Sequence, residues 1–148
     1  MIPTKINVNK FNVKFKLGDD LIVYETETNT FLEETGLTIQ NIGFPFESEK
    51  INYILLSGAG TTFKCGNALN NIFLTLKKEF QNEIVIIDFL GVEETSDYFF
   101  ENYTKFLLET TNKIITINMS VAISNAFSSY VYSHLSKAEE EEEWIILY

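Results

Sequence analysis

Glu93-Glu94-Thr95-Ser96-Asp97 puts three carboxylates and two hydroxyls into five consecutive positions between two apolar segments. Such a set of carboxylates and hydroxyls could be a catalytic site, a docking or phosphorylation site with Ser96 as the acceptor, or only a loop. Just before it, the apolar run Ile84-Val85-Ile86-Ile87 ends in a single acid, Asp88. An acid closing a strand is the pattern of Walker-B and receiver-type phospho-acceptor sites. Both need companions, either a P-loop or an acidic pair closing an earlier parallel strand. Neither is present, because Asp19-Asp20 precedes its strand instead of following one. Asp88 is therefore read as a hydrogen-bonded structural acid.

The stretch SGAGTTFKCGN, starting at Ser57, follows a strand and precedes a helix, where phosphate-binding loops sit. A dinucleotide fingerprint would require glycine where Phe63 stands. A P-loop would flank its lysine with Gly and Ser or Thr, whereas Lys64 lies between Phe63 and Cys65. Ser57, Thr61, Thr62 and Lys64 are kept as weak ligand-loop candidates, with turn and cap roles favoured for the hydroxyls. His134, the single histidine, lies at helical spacing among apolar residues with no nucleophile elbow. One histidine and one cysteine, Cys65, give no common zinc set. No catalytic residue, metal or cofactor is expected, and the chain is read as a non-enzyme.

Elements must position these groups. Phe11, Val13, Phe15 and Leu17 alternate with polar residues as in a half-buried strand, and the opposite parity of Ile6 and Val8 predicts a bulge or bend near Asn9-Lys10. Gly18-Asp19-Asp20 then turns the chain into a second strand over 21–28, making an N-terminal β-hairpin. A helical turn from Phe31 ends at Gly36. From Ile51 the pattern alternates strand and helix. Strands are expected over 51–56, 84–89 and 113–118. Helices are expected around Leu69–Phe80 and Phe99–Leu107, and after Ser120. Thr95 or Ser96 is the natural N-cap of the second helix and Ser120 of the third. The order implies an α/β fold with a parallel or mixed sheet and helix cover, preceded by the hairpin. One domain over residues 1–148 is expected: a β-rich extension (1–48), a core (50–135) and an acidic, apolar tail (136–148).

Composition bounds the function. The 148 residues carry a net charge of −10, and all eleven basic residues are lysines, which removes the bidentate arginine clamp on phosphate. Nucleic-acid binding is disfavoured on the same ground. No run reaches membrane-span length and the first residues lack a signal-peptide apolar block, so a cytoplasmic protein is expected. Glu139 to Glu143 form an unbroken acidic run before Trp144-Ile145-Ile146-Leu147-Tyr148. Five apolar residues at a chain end should dock, either on this domain as an extra edge strand or against a second copy.

IVIIDFLGVEETSDYFFENYTKFL resembles the signature of the STAS-like domain family through Ile87, Asp88, Phe89, Gly91, Val92 and Phe99, with Ser96 in the turn. Upstream, Thr61-Thr62 with Gly66 and the following helix resemble the start of the family's first helix. Downstream, KIITINMSVAISNAF resembles its strand, Asn-x-Ser turn and final helix. The likeness spans roughly residues 50–135. The family's upstream arginine is replaced by Phe63 or Lys64. Tyr98 stands where related bacterial anti-sigma-factor antagonists carry a phosphorylated serine.

The resemblance implies a STAS-like mixed sheet and a regulatory, non-enzymatic role in which an anti-sigma factor or an ATPase-type kinase is bound. The expected docking or modification residues are Glu93, Glu94, Ser96, Asp97, Tyr98 and Ser120. The alternative is a small acidic inhibitor or immunity-type protein that blocks a basic toxin or nuclease. A third reading is a small-molecule sensor using the SGAGTTFKCGN loop.

Overall fold

The computed structural model describes residues 5–17, 21–36, 50–60, 62–63, 67–135 and 145–147. The elements run β1 (Asn12–Leu17), β2 (Leu21–Glu27), α1 (Thr28–Thr35), β3 (Lys50–Leu55), a 3-10 turn (Leu56–Ala59), β4 (Thr62–Phe63) and α2 (Asn67–Glu79). They continue with β5 (Ile84–Asp88), β6 (Glu94–Thr95), α3 (Asp97–Glu109), β7 (Lys113–Ile117), α4 (Val121–His134) and β8 (Ile145–Leu147).

Six strands form one mixed sheet in the order β1-β2-β3-β5-β7-β8, and β4 pairs with β6 in a separate two-stranded ribbon. The hairpin β1-β2 pairs antiparallel onto β3, while β3, β5, β7 and β8 are mutually parallel. Helices connect the parallel strands, and each connection advances one place across the sheet. The fold is the expected α/β mixed sheet, with the hairpin built into it as two of its strands. The tail segment Ile145–Leu147 docks on the same chain, as a parallel neighbour of β7.

Every residue of β5 is buried, as an apolar strand covered on both faces should be. Ile54, Val85, Ile87 and Ile114 meet Phe73 and Leu76 of α2, Phe99, Tyr103 and Phe106 of α3, and Ile123 and Phe127 of α4. The aromatic rings interlock there: Phe73 stacks on Phe106 at 5.2 Å and Phe63 on Phe99 at 5.5 Å between centroids. Tyr103 keeps its buried hydroxyl satisfied by Thr116, 2.6 Å away. The opposite face carries Ile51, Tyr53, Ile86, Ile115 and Ile117, covered by Ile6, Phe11 and Phe31 of the N-terminal segment and α1.

The alternation read for the first strand is corrected in one respect. Residues 9–10 form a turn closed by Phe11 N–H donating to the Val8 carbonyl at 2.9 Å, and the register shift lies between Val13 and Phe15. Lys14 is the extra residue. The shift changes parity, so Phe11 packs on one face of the sheet and Phe15 and Leu17 on the other, while Val13 is exposed. Among the described residues no helix is long and apolar enough to cross a membrane.

Candidate functional site

Parallel β3, β5 and β7 deliver their C-terminal ends to one edge of the sheet, so the three loops that follow them gather there. The loops after β3 and β5 are zipped together by the ribbon, with Thr62 opposite Glu94 and Phe63 opposite Thr95. Behind the ribbon, Gly91 turns with φ +89°, and a Cβ on it would come within 3.0 Å of the Ser57 Cβ. Only glycine fits that turn without displacing Ser57. The SGAG segment and the acidic turn, separate candidates in the sequence, are therefore neighbours.

Ser96 joins them directly. Its hydroxyl accepts from Phe99 N–H at 3.2 Å, capping α3, and donates to the Phe63 carbonyl at 3.2 Å. Ser120 does the corresponding work on α4, accepting from Ile123 N–H at 3.1 Å. Glu93, Glu94 and Asp97 are exposed around this edge, and Tyr98 keeps 41% of its surface in solvent. Ser96 and Ser120 are half-buried. Thr61, Lys64, Cys65, residues 139–143, Trp144 and Tyr148 lie outside the described residues.

Asp88 ends β5 beneath this surface, completely buried. Its Oδ1 accepts from Leu90 N–H at 2.9 Å and from Asn118 Nδ2 at 3.0 Å, and its Oδ2 accepts from the Tyr53 hydroxyl. Burial pushes the Asp88 pKa up, and the bonds from Tyr53, Leu90 and Asn118 pull against that rise. The Tyr53 hydroxyl is itself pushed up, first by burial and then by the neighbouring carboxylate. The carboxyl group has three donors and no solvent path at its own surface. It ties the end of β3, the turn after β5 and the turn after β7 into one unit. That last turn holds Asn118 at φ +61°, a conformation asparagine tolerates better than most residues.

No protein-family model, curated protein or solved structure matches the chain.

Asp88 fits the structural role read from its strand-end position, although its partners could not be named from the sequence. Tyr53 and Asn118 stand 35 and 30 residues away along the chain. Each has a local explanation in the sequence, as a strand residue and a turn residue, and no spacing links either to Asp88. His134 is corrected: it is exposed at the end of α4, with its ring stacked on Tyr130 at 4.3 Å. Helical spacing placed it near the core stripe, but the last turn of α4 carries it beyond the sheet-facing side.

A second polar centre was missed altogether, at the opposite end of the strands. The Lys14 ammonium lies 3.1 Å from Glu25, 3.4 Å from Glu83 and 3.1 Å from the Asn52 Oδ1, and 4.9 Å from the centre of the Phe80 ring. It fastens the hairpin to β3 and to the start of β5. Alternation reads Lys14 as a polar, solvent-side residue, and it is exposed; what spacing could not show is that its ammonium reaches Glu25, Asn52 and Glu83 on other elements.

Proposed function

We propose that the chain is a non-enzymatic, STAS-like regulatory domain that docks a protein partner through Glu93, Glu94, Asp97 and Tyr98 at the start of α3. One observation carries this reading. The turn that presents three exposed acids and an exposed aromatic ring is held at both ends, by the β4–β6 ribbon and by the Ser96 cap. A turn that is already ordered loses little freedom when a partner binds, which favours recognition. The acid with the most perturbed surroundings, Asp88, is enclosed beneath the surface, which supports a positioning role for it over a catalytic one.

The partner in this reading offers basic groups to the carboxylates and an apolar pocket to the Tyr98 ring. An anti-sigma factor or an ATPase-type kinase is the class that the STAS-like resemblance implies, in a bacterial cytoplasm. Ser96 is the modification point. A phosphate there would break the bond to Phe63 and add a charge of about −2 beside Glu93, Glu94 and Asp97, which would repel a partner that accepts the unmodified turn.

The high negative charge also supports a second reading, an acidic inhibitor of a basic toxin or nuclease. One experiment tests both. Tagged wild type, Tyr98→Ala and a Glu93→Lys/Glu94→Lys/Asp97→Lys variant are used to capture partners from the native host, and bound proteins are identified at low and high salt. The first reading expects a regulatory protein that is weakened by salt and by charge reversal and is lost with Tyr98→Ala. The inhibitor reading expects a basic protein lost at high salt and with charge reversal, but retained by Tyr98→Ala. Partners captured equally by all three forms would overturn the assignment of this surface.

A further inference from the structure

We propose that the outer face of α4 is a self-association surface, on which two copies of the chain pair across a two-fold axis with their α4 helices antiparallel. The starting observation is charge. α4 contains no Asp, Glu, Lys or Arg in fourteen residues, although the chain carries −10 overall and both α2 and α3 carry charges of each sign. A solvent-facing helix in an acidic protein ordinarily presents charged residues outward. Here the outward positions include Val121, Ala122, Asn125, Ser129, Tyr132 and Ser133, all exposed, and the helix's one titratable residue besides its tyrosines, His134, is exposed in its last turn. Val121 at 79% and Tyr132 at 83% are the two most exposed large hydrophobic residues among those described.

Charge also favours a second copy as the occupant. Two molecules of net charge −10 repel overall, and a face without Asp, Glu, Lys or Arg, such as the outer face of α4, adds no local like-charge repulsion when it meets its own copy. The order of residues points the same way. A two-fold axis level with position 127 reverses the helix onto itself, so that Ala122 faces Tyr132 of the other copy, Val121 faces Ser133 and Asn125 faces Ser129. Each large side chain meets a small one, and the central pair consists of two polar groups able to hydrogen-bond. An isologous interface requires this kind of self-complementarity. The small residues allow the close helix approach, about 8–10 Å between axes, that such packing needs. The face is independent of the acidic turn at 93–98 and does not rest on the docking reading.

Fourteen residues span about 21 Å of helix, so the contact is small beside a standard interface and the dimer should be weak and concentration-dependent. Sedimentation equilibrium over a wide concentration range tests it. Wild type should rise from the 17.0 kDa monomer towards twice that mass, and more readily at high salt, because screening relieves the repulsion between copies. Tyr132→Glu and Ser129→Arg alter only exposed positions. They should remain monomeric with unchanged circular dichroism and melting curves.

The orientation is tested by cysteine pairing in a Cys65→Ser background. An equimolar mixture of Asn125→Cys and Ser129→Cys chains should form the mixed disulfide well above its statistical share. A monomer at every concentration would overturn the proposal, as would a dimer unaffected by both α4 substitutions. A statistical distribution of disulfides would overturn the antiparallel two-fold arrangement.

Discussion

The hydroxyl of Tyr53 donates to the carboxylate of Asp88 inside the sheet, joining neighbouring parallel strands whose sequences lie 35 residues apart. This bond, with those from Leu90 and Asn118, makes Asp88 the anchor of the edge on which the candidate surface is built. Tyr53→Phe should cost about 2 kcal/mol, the usual scale for a hydrogen bond to a charged group. Asp88→Ala should cost more, because it leaves three donors, two of them in buried bonds, without an acceptor. Urea denaturation midpoints measure both, and a smaller loss for Asp88→Ala than for Tyr53→Phe would contradict the anchoring role.

Asp88 also predicts a pH dependence of definite sign. Its pKa is raised in the folded chain, chiefly by burial, so the folded state holds the proton more tightly than the unfolded state does. The stability it contributes is therefore largest below its unfolded value, about 3.8, and declines as pH rises until the folded pKa is passed. Asp88→Asn removes that titration. The stability difference, wild type minus D88N, should fall with rising pH and then level off. A difference that grows with pH would mean that the three hydrogen bonds outweigh burial.

The two serine caps look alike in sequence but differ in the fold. Ser120→Ala removes one cap bond and should cost about 1 kcal/mol. Ser96→Ala also removes the donation to Phe63, the link between the loops after β3 and β5, and should cost about 2 kcal/mol. Ser96→Asp keeps an acceptor for Phe99 N–H but sets a carboxylate against the Phe63 carbonyl, so it should not recover full stability. Thermal melting of the three variants measures the ranking, and equal losses for Ser96→Ala and Ser120→Ala would remove the linking role of Ser96.

Much of the parallel half of the fold was legible because its signals are local. Ile84 to Ile87 is apolar at every position, as a doubly covered strand must be, and Ser96 and Ser120 sit immediately before helix-period patterns. The pairing of Phe63 with Thr95 was not legible, because a two-residue ribbon leaves no periodicity. Nor was the convergence of Tyr53 and Asn118 on Asp88, which depends on strand order across the sheet. At the N-terminus alternation alone misled, since the bulge at Lys14 puts Phe11 on the opposite face of the sheet from Phe15 and Leu17.

Lys14 supplies the last prediction. Its ammonium holds the Glu25 pKa below the ordinary glutamate value, first through their hydrogen bond; burial opposes this, and Lys50 adds to the lowering. A carboxylate whose pKa is lowered on folding contributes stability that is present above its unfolded value, about 4.5, and lost as pH falls through the folded one. Lys14→Met keeps an apolar stem near Phe80 but removes the charge that Glu25, Glu83 and Asn52 share. All the charged members of this network are partly solvated, so the expected cost is modest, about 1 kcal/mol at neutral pH. The gap between wild type and Lys14→Met should narrow as pH falls below the unfolded value and through the folded one, as Glu25 protonates in both. It should also narrow with added salt, since the network is accessible to counterions. Urea midpoints at neutral and acid pH read this directly. A gap that stays constant across pH would assign the role of Lys14 to its contact with Phe80, leaving the bulge held by packing alone.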